Sequence, residues 1–314
     1  MLPPQPKLLE AEFSIGICAA DRATNLTELL SLVETETYPE SLVLNEVVIV
    51  ASGLDLQALA FVREFTNNHD GFVLIEEPIR LGKAEAINRI IHSFTGQFLV
   101  LINSDAHPEA GAISKLLTTI SRDNHVGVVS ASPVVAVDSG ITGMILQLIW
   151  GVHNGCLLTL NEEDRNNHCC DELIVIRSQA IRNLPSDTVN DGAFLAGAAY
   201  RAGYSIRFCE NARVRIDVPQ RFCDLVRQRR RIVYGHLQIL RSVGESPRTV
   251  ESMLLNAPLL SLSILIRTIA QNLRLALALP FAVFGEAVSV GLAISDNLTS
   301  TRKHVPWARV GSRA

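Results

Sequence analysis

The sequence predicts an α/β fold, a mostly parallel sheet with helices on both faces, followed by a hydrophobic helical tail. Three observations predict it. Short apolar runs such as VVIV (47–50) and FLVLI (98–102) have no polar alternation, as expected of strands buried on both faces. The segments between such runs carry apolar residues at spacings of three and four, which is the helical period. Near the C-terminus, residues 275–294 form an apolar stretch whose single charge is Glu286.

Taken in order, FSIGIC (13–18) is the first strand. TNLTELLSLVETE (24–36) follows, with Leu26, Leu29, Leu30 and Val33 on one helical face and Thr24 or Asn25 as its cap. VVIV is the second strand. A helix over about 54–66 leads into FVLIE (72–76), and KAEAINRIIHSF (83–94) leads into FLVLI. GAISKLLTTI (111–120) is the fourth helix and VGVVSAS (126–132) the fifth strand. Strands alternating with helices build parallel sheets, because a parallel pair needs a long crossover.

The second half is less regular. ELIVIR (172–177) reads as a strand and DGAFLAGAAYRA (191–202) as a helix ended by Gly203. YSIRFC (204–209) is a further strand. RFCDLVRQRRRIVYGHLQIL (221–240) is helical and basic in its middle. The expected division is a sheet domain over 1–245 and a hydrophobic helical region over 246–314. In that region MLLNAPLLSLSILI (253–266) is apolar, and 275–294 matches a membrane span in length. Its Glu286 and small residues fit an interfacial or core helix as well. TSTRKH (299–304) and the arginines of 221–231 would offer a basic face to anionic lipid.

Composition narrows the function. The chain has 314 residues, 48% of them hydrophobic, enough to fill a sizeable core. A net charge of -4 predicts no nucleic-acid partner. Six cysteines show no CxxC spacing and several sit in apolar runs, so they read as reduced thiols of a cytosolic compartment. NHCC (167–170) is a poor zinc site, since adjacent cysteines do not span a tetrahedral ion well. MLPPQPKLLEAEF lacks the apolar core of a signal peptide. Neither GxSxG nor a P-loop is present.

In parallel sheets ligands bind beyond the carboxyl ends of the strands. Asp21, Ser52-Gly53 and Asp105 lie just past strands one, two and four. Asp105 in LINSDAHPEAG has a plainer reading as an Asx-turn residue ahead of His107-Pro108, with His107 as an exposed turn residue.

Five segments in order carry a resemblance. SIGICAADRATNL, VVIVASGLDLQ, IRLGKAEAINRIIHSFTGQFLVLINSDAHPEAGAISKL, VNDGAFLAGAAYRAGYSIRFCENARV and LVRQRRRIVYGHL are similar, over about residues 12–240, to family 2 glycosyltransferases of the GT-A fold. The final KHVPWARVGS also resembles that family's closing segment. The resemblance implies an inverting transferase that moves a sugar from a nucleotide-diphosphate donor to a hydroxyl acceptor. It places Asp105, with Asn103 in the other acidic slot, at a Mg²⁺ or Mn²⁺ ion that neutralises the diphosphate. It places Ala19, Asp21, Ser52, Lys83 and Ser104 at the donor. Gln228 and Arg231 match the Gln and Arg of the QxxRW helix. They are three apart and so share a helical face.

The resemblance makes Asp191 the general base for the acceptor. The family's catalytic Asp stands about eleven residues before the Gly-Tyr that opens the next strand, and that count lands on Gly192. A helix N-terminal Asp complementing the dipole is the alternative reading of Asp191. Ser52, Asn103 and Gly192 stand where acids are usual, which favours a second possibility: a GT-A-fold, membrane-associated binding or assembly subunit without catalysis. Intact Asp105, Asp191, Gln228 and Arg231 favour the enzyme. The expected acceptor is a lipid-linked or polysaccharide glycan, and the expected location is the cytoplasmic face of a membrane.

Overall fold

The computed structural model describes residues 11–21, 25–135, 140–219, 221–299 and 304. Its elements in chain order are β1 (Ala11–Asp21), α1 (Leu26–Thr35), β2 (Leu42–Leu54), α2 (Leu56–Asn68), β3 (Phe72–Glu77), α3 (Lys83–Ser93), β4 (Phe98–Asn103) and the short β5 (His107–Pro108). There follow α4 (Ala112–Ser121), β6 (Val126–Val134), α5 (Gly140–Glu162), β7 (Leu173–Arg177), α6 (Asp191–Arg201) and β8 (Ser205–Arg215). The chain ends in α7 (Phe222–Ser242), α8 (Val250–Asn256), α9 (Pro258–Gln271) and α10 (Leu275–Leu298).

One sheet runs β3-β2-β1-β4-β7-β6-β8-β5. The first four strands of that order are parallel, as the alternating helices require. Strand β7 is the departure from the expected regularity: it lies antiparallel to both β4 and β6, while β6 and β8 are parallel. The sheet is buried on both faces because its strands are apolar throughout. Ile15, Ile17, Val100, Ile102 and Val175 point to α1, α2 and α4. Leu99, Leu101, Ile174 and Ile176 point to α3 and α6 on the other side.

Helix α5 was not read from the sequence. Its buried positions, from Thr142 to Leu160, wrap around much of its surface, so its apolar residues mark no single stripe. With α7, α8, α9 and α10 it encloses another core containing Leu146, Leu225, Met253, Ile264 and Ala278. The hydrophobic tail therefore packs on the sheet domain through shared side chains.

Two expectations at termini resolve unevenly. Thr24 and the closing KHVPWARVGS, apart from His304, lie outside the described residues. Asn25 occupies the cap position of α1 without a side-chain cap bond. Its amide instead donates to the Ala106 carbonyl at 2.6 Å, which ties the first loop to the turn after β4. All six cysteines are free thiols.

Candidate functional site

The carboxyl ends of β1, β2 and β4 open into a cavity of about 230 Å³ whose far wall is α7. Residues named from the sequence line it: Ala19 and Asp21 from β1, Ser52 from β2, Lys83 at the start of α3, and Asn103, Ser104 and Asp105 after β4. Gln228 and Arg231 of α7 face them across the cavity, as their shared helical face requires. Asp191 is the exception. It is 6% exposed and does not line the cavity, but its carboxylate pairs with Lys83, which does.

The turn after β4 is closed by the backbone, Ala106 N–H donating to the Asn103 carbonyl at 3.0 Å. The Asx-turn reading of Asp105 is thus not what the turn uses, and no described side chain pairs with the Asp105 carboxylate. His107 is half-buried rather than exposed, 3.4 Å from Asp217. Asp55, just beyond β2, caps α2 by accepting from Ala58 N–H at 2.8 Å. Ser52 is buried and its hydroxyl has no partner among the described residues, nor has the Gln228 side-chain carbonyl oxygen. Buried polar atoms left without partners are costly, so both are poised for a ligand.

Asp21 stands in the left-handed region, at φ 58°. For a non-glycine residue this is a strained conformation of the kind found at ligand sites. Its carboxylate accepts from Arg80 Nη1 at 2.9 Å on both oxygens. Arg80 lines the cavity and was not among the sequence candidates, although it is the Arg of the RLGK stretch.

Three further cavity residues were missed: Asp171, Glu172 and Asp217. Asp171 and Glu172 immediately precede β7, opposite Asn103 of β4, whose N–H donates to the Glu172 carbonyl at 3.1 Å. The Lys83 ammonium lies 2.5 Å from Asp171 and 2.8 Å from Asp191. Burial disfavours the ammonium, but the two carboxylates outweigh burial and hold it charged. Burial would likewise raise Asp171, yet Lys83 outweighs it and holds that carboxyl down at about 2. Asp191 moves the other way: burial and the neighbouring Asp171 lift it despite Lys83. Burial, Asp171 and Asp105 together push Glu172 up to about 8. One Glu172 oxygen has no partner among the described residues.

Packing explains why position 192 carries no side chain. A Cβ at Gly192 would lie 2.7 Å from the Asp171 Cβ, so that position must be glycine for α6 to reach the loop before β7. Asp191 is then the residue that turns to Lys83. The N-cap of α6, Asn190, abuts α7 at Gly235, where a Cβ would approach the Asn190 Cβ to 2.6 Å.

The basic run on α7 divides between two surroundings. Arg231 faces the cavity, where burial lowers it against the pull of Asp191 and Asp171. Arg229 and Arg230 turn away and pair with acids of the C-terminal helices: Arg229 with Glu286 at 2.5 Å and Glu251 at 3.0 Å, Arg230 with Asp296 at 2.6 Å. They form neither a solvated face nor a lipid-facing patch.

The donor set toward a divalent cation is one free carboxylate, Asp105, beside the Asn103 amide and the partly unpaired Glu172. No group of three or more His, Cys, Asp or Glu is gathered for a metal among the described residues. Hard oxygen donors and excess negative charge at the strand ends suit Mg²⁺ or Mn²⁺. With so few protein ligands, oxygen atoms from outside the chain would have to complete the shell.

Comparison with known proteins bears on the fold. A family model described as glycosyl transferase family 2 matches residues 14–184, and one described as glycosyl transferase family group 2 matches 172–296. No curated protein is significantly similar in sequence. Among solved structures, the mannosyltransferase PcManGT from Pyrobaculum calidifontis, in complex with GDP-Man and Mn²⁺, superposes with a TM-score of 0.64 at 20% identity. The match covers 92% of this chain and 87% of that one. GalNAc-T7 with UDP, GalNAc and Mn²⁺ gives a TM-score of 0.52 at 13% identity, over 66% of this chain and 43% of the other. Both likenesses speak to the fold.

Proposed function

The chain belongs to glycosyl transferase family 2, and from that premise we propose that it moves a sugar from a nucleotide-diphosphate donor to a hydroxyl of a lipid-linked or polysaccharide glycan. The reaction is an inverting displacement at the cytoplasmic face of a membrane. The observation that carries the reading is the convergence of Asp21, Ser52, Asn103, Ser104 and Asp105 on one cavity wall with Gln228 and Arg231 opposite.

The roles follow from the chemistry of each group. Ser52 and the Ala19 backbone hold the nucleoside portion. Arg231 meets the diphosphate with a planar fork of donors, and Gln228 adds a neutral contact beside it. A divalent cation, when bound, supplies positive charge at the departing diphosphate. Asp105 would hold it, with Asn103 in support. The acceptor oxygen attacks the anomeric carbon, the bond to the diphosphate breaks, and the acceptor proton passes to Asp191. Lys83 favours the ionised form of Asp191, while burial raises its affinity for the proton.

The test is calorimetric titration of the purified chain with UDP and GDP, with and without Mn²⁺, for the wild type and Asp105→Ala. Metal-dependent binding lost in Asp105→Ala is the expected result. Failure of both nucleotides to bind under any metal condition overturns the metal-dependent transferase and leaves the non-catalytic subunit in its place.

A further inference from the structure

The C-terminal helices expose an apolar surface with an unusual distribution of charge. Residues 250–298 contain five charged side chains, Glu251, Arg267, Arg274, Glu286 and Asp296. The three acids are all paired with arginines of α7, Glu251 and Glu286 with Arg229 and Asp296 with Arg230. The two arginines are exposed. Around them stand large bare hydrophobics, among them Leu255 at 83%, Leu259 at 82%, Leu277 at 68% and Phe284 at 62% exposure. The outward surface is therefore apolar with positive charge alone, the complement of an anionic lipid surface.

Length alone would let α10 span a bilayer, since 24 residues make about 36 Å of helix against about 30 Å of hydrocarbon. Its buried side decides otherwise. Leu275, Ala278, Ala282, Gly285, Ser289, Ala293 and Asp296 recur at spacings of three and four along the whole helix. The first three are seated in the core with α5. Ser289 donates to the Val226 carbonyl of α7 at 3.2 Å, and the ion pairs lock Glu286 and Asp296 to the same helix. Helix α7 is the cavity wall that carries Gln228 and Arg231. A spanning α10 would draw the α7 arginines and the cavity into hydrocarbon, where charge is strongly penalised.

We infer that α10, with α8 and α9, lies in the plane of an anionic membrane with its Leu277–Phe284 side submerged, and does not cross it. This rests on the reading that the protein works at a membrane, and it goes further by fixing the orientation. Because α7 joins the membrane-lying helix to the donor cavity, the cavity opens beside the lipid surface, where a lipid-linked acceptor would present its hydroxyl.

The test uses the full chain and vesicles of phosphatidylcholine with or without phosphatidylglycerol. Flotation with the anionic vesicles, weaker on neutral ones, is expected. It should fall about 10- to 100-fold in Leu277→Asp with Phe284→Asp, as expected from losing two apolar anchors, while UDP or GDP binding is unchanged. Single spin labels at positions 277, 281, 284, 288 and 292, in a Cys223→Ser background, then report depth. An in-plane helix gives a shallow depth similar at every outward position. A steady change of depth from 277 to 292 means that α10 spans, and overturns the inference. Absence of flotation with concentration-dependent dimerisation overturns it too, and gives the apolar face to a second copy of the chain. In-plane flotation without nucleotide binding leaves the inference standing and removes the transferase reading alone.

Discussion

The ammonium of Lys83 lies 2.8 Å from the carboxylate of Asp191, at the edge of the cavity. The same ammonium reaches Asp171 at 2.5 Å, so one cation bridges two acids from separate segments. The two carboxyls are pushed in opposite directions, Asp171 down and Asp191 up. Divergence of this kind separates a permanently ionised partner from a group able to accept a proton.

Asp191→Asn is therefore expected to lower the turnover number by about 10²- to 10⁴-fold with donor affinity unchanged. Asp171→Asn should cost far less. Nucleoside diphosphate release at saturating donor and acceptor measures both. The reverse ranking would make Asp171, which does line the cavity, the base.

Lys83→Met removes the cation that favours the ionised form of Asp191. The Asp191 carboxyl then rises further, and a base of higher pKa needs higher pH to be ionised. The acid limb of the pH–rate profile should shift to higher pH. An unmoved limb in an active variant would show that Lys83 does not act on the base.

Gly192→Ala places a Cβ 2.7 Å from the Asp171 Cβ. Neither neighbour is the end of a flexible chain, so the backbones must part. A loss of about 1–3 kcal/mol is expected, read as a lower denaturant midpoint. Gly192→Asp, which restores an acid to the expected register, should destabilise further and not substitute for Asp191.

His236 of α7 packs edge-to-face with His168 at 4.9 Å between ring centres, and His168 with His153 at 5.6 Å. Burial holds His153 and His236 down to about 4, and His168 well below its ordinary value. Their folded pKa values lie below the unfolded value of 6.5, so protons bind preferentially to the unfolded chain as pH falls. The contribution of these three histidines to stability should be full above about pH 6.5 and be lost between 6.5 and 4. His236→Phe should flatten that decline in denaturant midpoints taken at pH 7.5, 6 and 5. An equally steep decline in the variant would assign the acid sensitivity to other groups.

Much of the fold was legible because its signals are local. The apolar runs at 47–50 and 98–102 are long enough to be buried strands, and Leu26, Leu29, Leu30 and Val33 mark the inner face of α1. Helix α5 escaped because a helix buried on many sides has no single apolar stripe to detect. The antiparallel placement of β7 escaped because its five buried residues match a parallel strand in pattern.

The sequence by itself determined the sheet, the acids and hydroxyls beyond its strand ends, and the pairing of Gln228 with Arg231 on one helical face. These depend on period and on adjacency along the chain. Only the tertiary structure decided that Asp171, Glu172 and Arg80 join the cavity, and that Asp191 rather than Gly192 meets Lys83. Only it decided that the α10 acids turn inward to Arg229 and Arg230. Each of these is a contact between segments distant in sequence, where a charge's role depends on the partner that folding brings to it. No local pattern encodes that partner.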